Sequence, residues 1–301
     1  MDHGAADGRI GFERSKDADG ALGENEAAEN DAMRFGSLGA LVPDAVYDRY
    51  WSWGSDEGSE GFDASDCESE ECITSEEPLP TADEAFELFL GWVADRGIEP
   101  WPHQEEALMS LMVGDHVILG TPTGSGKSLV ALGLHFMALC TGKVSYYTAP
   151  IKALVSEKFF YLVDVLGREN VGMITGDVSI NPYAPVVCCT AEILANQALR
   201  EGERADIGCV AMDEFHFYGD PQRGWAWQVP LLTLPHTQFL LMSATLGDVS
   251  VIAESLKAHT DADVDIIADA PRPVPLSYEY VKTPIEGTVE LAIRAAETPL
   301  Y

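Results

Sequence analysis

Two short stretches of this chain combine residue types suited to phosphate chemistry. One is Thr121-Pro122-Thr123-Gly124-Ser125-Gly126-Lys127-Ser128, and the other is Asp213-Glu214-Phe215-His216. The backbone N–H groups of a glycine-rich turn can wrap a polyphosphate, Lys127 can reach its outer phosphates, and the Ser128 hydroxyl can sit on Mg²⁺. Of the paired carboxylates, one can hold that metal through water while the other orients or deprotonates an attacking water. Together they outline a nucleotide site.

The flanking residues set both stretches at the ends of strands. Val117-Ile118-Leu119 precedes the first and Leu129-Val130-Ala131-Leu132 follows it, which is the strand, turn and helix that a P-loop requires. The helix adds the positive end of its dipole. Thr121 stands where such loops usually open with glycine. The acids follow the apolar run Ile207 to Met212 directly, whereas the acids of an ordinary surface turn would not.

Further strands are expected over Lys143 to Thr148, Val171 to Ile174, Val186 to Cys189, Phe239 to Met242 and Asp265 to Ile267, several of them passing straight into helices. A helix is expected over Asp248 to His259, a departing strand over Ser277 to Val281 and a last helix over Ile285 to Glu297. Repeated alternation of strand and helix predicts an α/β fold, a mostly parallel sheet flanked by helices. In such sheets ligands bind at the carboxyl ends of the strands. Upstream, Thr81-Ala82-Asp83-Glu84 is a capping-box pattern before a helix with Phe86, Phe89, Leu90 and Val93 on one face. A second helix starts at Trp101-Pro102 and carries Gln104, whose amide could read an adenine edge.

Composition divides the chain of 301 residues unevenly. Its net charge is −32, and residues 1–80 hold 21 acidic against 5 basic side chains. Polar runs such as Ser55 to Glu77 bury too little to offset ordering entropy, so 1–80 is read as an acidic, disordered extension. Residues 81–283 form the expected nucleotide-binding domain, and 284–301 a linker helix leading toward another domain. The aromatic cluster Tyr47 to Trp53 reads equally as a docking motif or an exposed transient helix. The charge excludes a protein that holds nucleic acid by bulk electrostatics, so any such contact must be local and made by backbone and hydroxyl groups. No apolar run approaches ~18 residues and no basic leader opens the chain, which predicts a cytoplasmic protein without membrane contact. The six cysteines form no Cys-x-x-Cys pair; Cys188, Cys189 and Cys209 lie in apolar runs, and Cys67 and Cys72 in the acidic stretch.

Taken in order, Gln104, the loop at 121–128, Ala149-Pro150-Ile151-Lys152-Ala153-Leu154, Thr175-Gly176-Asp177, Thr190-Ala191-Glu192-Ile193-Leu194, Asp213 to His216 and Ser243-Ala244-Thr245 resemble the ordered motifs of superfamily 2 helicases. The Ala-Pro-Ile-Lys-Ala-Leu string, the His of the acidic box and Arg272-Pro273-Val274-Pro275-Leu276 are most similar to the Ski-like DEVH-box RNA helicases, in their bacterial form. The likeness covers residues 82–301 and implies a RecA-like motor domain that uses ATP and Mg²⁺. It assigns Thr121, Pro122, Thr123, Gly124, Ser125, Gly126, Lys127 and Ser128 to the phosphates, Ser128 and Asp213 to the metal, Glu214 to the hydrolytic water and Gln104 to adenine. Pro150, Lys152, Thr175, Gly176, Thr190 and Glu192 would lie along the nucleic-acid backbone, and His216, Ser243 and Thr245 would couple hydrolysis to domain movement. Phe215 replaces the usual Val at an apolar packing position.

The same likeness implies a second RecA-like domain that supplies arginine fingers, a contact worth ~10³–10⁵ in rate. Nothing after Ser-Ala-Thr supplies those motifs, so the chain is expected to be an N-terminal motor half that is weakly active alone. RNA is favoured over DNA by the resemblance alone, since backbone tracking does not separate the two. The acidic extension remains a candidate for docking a protein partner. A P-loop ATPase moving some other substrate is an alternative, against which Ser-Ala-Thr and Ala-Pro-Ile-Lys-Ala-Leu count. An interaction module built on a degenerate motor is another, against which the retention of Lys127 and Glu214 counts.

Overall fold

The computed structural model describes residues 37–43, 45–46 and 78–271. The cluster at 47–53, Cys67, Cys72 and the segments expected after residue 271 lie outside the described residues.

Capping and turn chemistry delimit the helices as the sequence predicts. Helix α1 (Ala82–Asp95) opens on a capping box: Glu84 N–H donates to Thr81 Oγ1 at 3.3 Å, and Thr81 N–H to Glu84 Oε2 at 2.8 Å. Its buried face is Ala85, Phe89, Trp92 and Val93, with Phe86 and Leu90 at the margin. Helix α2 (Pro102–Val113) has proline in its first turn and ends at Gly114, whose φ of 97° suits a residue without a Cβ. Helices α3 (Lys127–Cys140), α4 (Lys152–Leu166), α5 (Ala191–Glu201), α6 (Trp225–Thr233) and α7 (Ser250–Thr260) complete the set among the described residues.

The strands are β1 (His116–Leu119), β2 (Ser145–Ala149), β3 (Val171–Ile174), β4 (Ser179–Ile180), β5 (Val186–Thr190), β6 (Cys209–Met212), β7 (Gln238–Met242) and β8 (Val264–Ile267). They form one sheet in the order β4-β3-β5-β2-β6-β7-β1-β8. Every pairing is parallel except β3 with β4, a two-residue return at the edge. The sequence did not announce β4, which is too short to show a period, nor α6, which carries Pro230 internally.

Central strands are buried on both faces, which explains their unbroken apolar character. Alternate residues feed two cores. Val117, Leu119, Tyr147, Cys188, Ala211 and Leu240 pack with α1 to α4. Ile118, Tyr146, Cys189, Val210, Met212 and Leu241 pack with α5 to α7. The Cys140, Cys188, Cys189 and Cys209 thiols are free and buried, and burial pushes Cys188 and Cys209 up to about 12, as expected of small core hydrophobes.

One part of the stretch read as disordered is packed. Leu38–Leu41 forms a 3₁₀ turn, and Leu38, Val42 and Val46 enter the core beside α1 and α4. A Cβ on Gly39 would stand 2.1 Å from the Leu166 carbonyl oxygen, so the backbones meet there without room for a side chain. The strongly acidic composition around this apolar run masked it.

Candidate functional site

The P-loop joins β1 to α3, and its shape rests on contacts the glycine pattern does not reveal. Gly124 and Gly126 take φ of 83° and 78°, and a Cβ on Gly126 would fall 2.1 Å from Gln104 Nε2. Thr121 has a role of its own. Its hydroxyl lies 2.6 Å from Ser125 Oγ with both residues buried, a strut across the loop that glycine could not supply. Lys127 Nζ donates to the carbonyls of Thr121 (2.7 Å) and Pro122 (3.0 Å). Partial burial lowers the Lys127 pKa, opposed by the Asp213 and Glu214 carboxylates, so ammonium and acids share one field.

Gln104 is buried beneath this loop. Its Nε2 donates to the carbonyls of Gly126 (2.9 Å) and Ser125 (3.2 Å), while its Oε1 accepts the Trp101 N–H at 2.8 Å. Its amide thus reads the loop backbone and ties α2 to it. His103 Nε2 lies 2.9 Å from the same Ser125 carbonyl; because a carbonyl only accepts, that nitrogen carries the proton. Nothing in the sequence singles out His103, since any helical histidine looks alike.

The acidic box closes β6. Asp213 N–H donates to Thr148 O on β2 at 2.8 Å, and the two Asp213 oxygens accept from Tyr147 OH (2.5 Å) and Glu214 N–H (2.9 Å). Burial, reinforced by the Asp213 charge, raises the Tyr147 pKa well above the ordinary phenol value, which keeps it a donor. Glu214 takes φ of 51°, a left-handed conformation that costs a non-glycine residue roughly 1–2 kcal/mol and turns its side chain off the line of β6. Phe215, the departure from Val, is buried and packs 5.3 Å from the Tyr218 ring. Only apolar packing is asked of that position.

Beyond the turn, His216 Nδ1 is 3.2 Å from Glu214 Oε2 and 3.2 Å from Ser243 Oγ. Ser243 Oγ donates to Thr245 O at 3.1 Å, which uses its one proton, so Nδ1 must donate. Thr245 N–H returns to Ser243 Oγ at 3.3 Å. The three residues expected to couple hydrolysis to movement thus form one connected chain to Glu214.

The residues expected along nucleic acid sit at the carboxyl ends of β2, β3 and β5: Pro150 and Lys152 after β2, Thr175 and Gly176 after β3, Thr190 and Glu192 after β5. The order β3-β5-β2-β6-β7-β1 places this half-rim beside the nucleotide half, with the acidic box next to β2. Lys152 Nζ contacts Asp177 Oδ1 at 2.6 Å, and Thr175 Oγ1 donates to the same oxygen at 3.0 Å. Thr190 is buried, whereas Gly176 is open, with nothing within 4 Å of a Cβ built there.

Three residues absent from the sequence expectation join these groups. Tyr147 holds Asp213, Lys158 Nζ on α4 donates to Ser128 Oγ at 3.2 Å, and Arg223 bonds both Pro150 O (2.6 Å) and Glu192 Oε1 (2.5 Å). No local period marks them, because each reaches across from another element.

A family model of DEAD/DEAH box helicases matches residues 101–252, which include the P-loop, the acidic box and Ser243 to Thr245. The chain belongs to the DEAD/DEAH box helicase family. It is 35% identical over 175 residues to the probable helicase HelY of Mycobacterium tuberculosis, spanning 58% of this chain and 19% of that protein. With the DExH-box ATP-dependent RNA helicase DExH11 of Arabidopsis thaliana it is 32% identical over 228 residues, spanning 74% of this chain and 17% of that one. The chain therefore spans about a fifth of the length of the curated relatives it matches. The crystal structure of the DUF1998 helicase MrfA bound to DNA and AMPPNP superposes with a TM-score of 0.54 at 19% identity, over 72% of this chain and 35% of that one, a likeness of fold. For a DEAD/DEAH box helicase, the family implies ATP use with a divalent metal and binding to nucleic acid. The donor set fits such a metal, since the Ser128 hydroxyl and the Asp213 carboxylate are hard oxygen ligands.

Proposed function

We propose that this chain is the first motor domain of an ATP-dependent nucleic-acid helicase of the Ski-like kind, working on RNA in the cytoplasm. The observation that carries this reading is the shared field of Lys127, Asp213 and Glu214 at the ends of β1 and β6, the two strands that flank β7, continued through His216 to Ser243 after β7. Support for RNA comes from the likeness to the Arabidopsis relative, named an ATP-dependent RNA helicase, and from the Ala149 to Leu154 motif. The acidic residues before position 80 are proposed to dock a protein partner.

Bound Mg·ATP would supply the phosphoanhydride bond, its metal offsetting charge on the phosphate oxygens. Within the chain, the turn of 121–126 offers backbone N–H groups, Lys127 a cation, and Ser128 with Asp213 the oxygen donors. Tyr147 fixes Asp213 by donating to one of its oxygens. Glu214, turned aside by its left-handed backbone, accepts the proton of the attacking water, while His216 Nδ1–H steadies one of its oxygens. Pro150, Lys152, Thr175, Gly176, Thr190 and Glu192 hold or shape the path of the nucleic-acid backbone.

The test is ATP hydrolysis by the wild type and Glu214→Gln, with and without single-stranded RNA or DNA. Loss of the base should lower turnover by about 10²-fold or more while nucleotide binding is kept. An unchanged rate rejects the assignment. A longer form carrying a second motor domain should gain nucleic-acid-stimulated hydrolysis over the present chain; equal rates would reject the motor reading.

A further inference from the structure

Arg223 lies in the turn between the acidic box and α6, and its backbone is fixed before its side chain reaches anything. Asp220 Oδ1 accepts the N–H groups of Gln222 (2.8 Å) and Arg223 (2.7 Å), and Gly224 N–H donates to Asp220 O at 2.8 Å. A Cβ on Gly224 would meet Tyr218 O at 2.4 Å, so the turn closes only around glycine. From this base the guanidinium donates through Nε (2.9 Å) and Nη2 (2.5 Å) to Glu192 Oε1, and through Nη2 to Pro150 O at 2.6 Å. Its other side rests near the Phe217 and Trp227 rings, 5.8 and 5.9 Å from their centroids, and those rings stack on each other at 5.4 Å. Phe217 neighbours His216 in the 3₁₀ turn Phe215–Gly219.

One side chain thus joins the rim after β2, the rim after β5 and the segment that follows the acidic box. The Nε and Nη2 donors are committed to Glu192 and Pro150. An unpaired carboxylate at Glu192 would repel a phosphate backbone, and the ion pair removes that charge. We propose that Arg223 is a positioning residue: through Glu192 and Pro150 it fixes the nucleic-acid track against the acidic box, without itself touching nucleic acid. This rests on the proposed reading of the rim as a nucleic-acid track, and it gives Glu192 a role in shaping the path rather than contacting the ligand.

The experiment titrates a labelled single-stranded RNA oligonucleotide with the 301-residue chain at several salt concentrations. It compares wild type, Arg223→Ala, Arg223→Lys, Glu192→Ala and the double alanine variant, with thermal melting alongside. Each single alanine variant should weaken binding about tenfold, the double variant no further than the worse single, and the slope of log K against log salt should stay at the wild-type value. A direct phosphate contact behaves differently: Glu192→Ala would free the arginine and tighten binding, and Arg223→Ala would lower the slope by about one. Either result overturns the proposal, as does wild-type affinity in Arg223→Ala. Should Arg223→Ala fail to fold, Arg223→Lys, which keeps the charge and loses the planar fork, must show weaker binding at unchanged slope. A wild type that binds no RNA removes the track reading itself, an outcome distinct from equal binding by all variants, which removes only the role of Arg223.

Discussion

His216 Nδ1 and Ser243 Oγ stand 3.2 Å apart, joining the acidic box after β6 to the hydroxyl turn after β7. The same nitrogen reaches Glu214 Oε2, so a shift of the Ser243 turn is felt at the carboxylate through one imidazole. A polar link of this length between neighbouring strand ends can transmit displacement without disturbing either core.

Removal of that link should separate turnover from binding. Ser243→Ala leaves Nδ1 with Glu214 alone, and hydrolysis is expected to fall about tenfold while nucleotide affinity moves less than threefold. Steady-state hydrolysis read beside equilibrium nucleotide binding checks this. Equal losses in both would mean that Ser243 shapes the pocket rather than the coupling.

The Thr121–Ser125 strut makes a second prediction. In Thr121→Val the shape is nearly kept, but the buried Ser125 hydroxyl loses its partner, a cost of about 1–3 kcal/mol. Urea unfolding should show that loss, and nucleotide affinity should fall with it. Thr121→Ser, which restores a hydroxyl, should recover most of both.

Acid should weaken the fold through two buried histidines. His116 Nδ1 accepts the Phe239 N–H at 2.9 Å, leaving Nε2–H to donate to Thr260 Oγ1 at 2.7 Å. Burial lowers the His116 pKa from 6.5 to about 4 and that of His135 to about 3. The folded state therefore prefers neutral imidazole: this stability is complete above pH 6.5 and is lost as pH falls from 6.5 toward 4. For His116 alone the change between pH 6.5 and 5 is about 2 kcal/mol. Urea unfolding at pH 7, 6 and 5 should show the decline, and His116→Gln should flatten it. A stability constant across that window would contradict both assignments.

Gly39 tests whether the early apolar segment belongs to the folded unit. The methyl of Gly39→Ala would be driven onto the Leu166 carbonyl, and overpacking of this kind costs about 1–3 kcal/mol. Thermal melting should fall accordingly. An unchanged melting temperature would mean that residues 37–46 contribute nothing to stability.

Much of the site was legible because its key residues are adjacent in the chain and follow apolar runs. Lys127 and Ser128 after β1, and Asp213 and Glu214 after β6, could be placed from that pattern alone. The parallel sheet followed from alternation, but β4 and α6 did not, one being too short for a period and the other crossed by Pro230. Least legible were Tyr147, Lys158 and Arg223, whose partners lie 66, 30 and 31 or 73 residues away. Their side chains act across elements, and nothing local distinguishes a tyrosine in a buried strand or an arginine in a turn. Gln104, expected at an adenine edge, makes its contacts here with the loop itself.

The alternation of β6 between two cores also fixes the position of the acidic box. Val210 and Met212 point to one core and Ala211 to the other, with Asp213 as the next residue. Insertion or deletion of a single residue in this strand would exchange the occupants of both cores and carry the carboxylate off the rim. Strand β6 thus acts as a ruler with a step of two residues, and in-frame changes of odd length there should be eliminated for misfolding before their effect on hydrolysis could be measured.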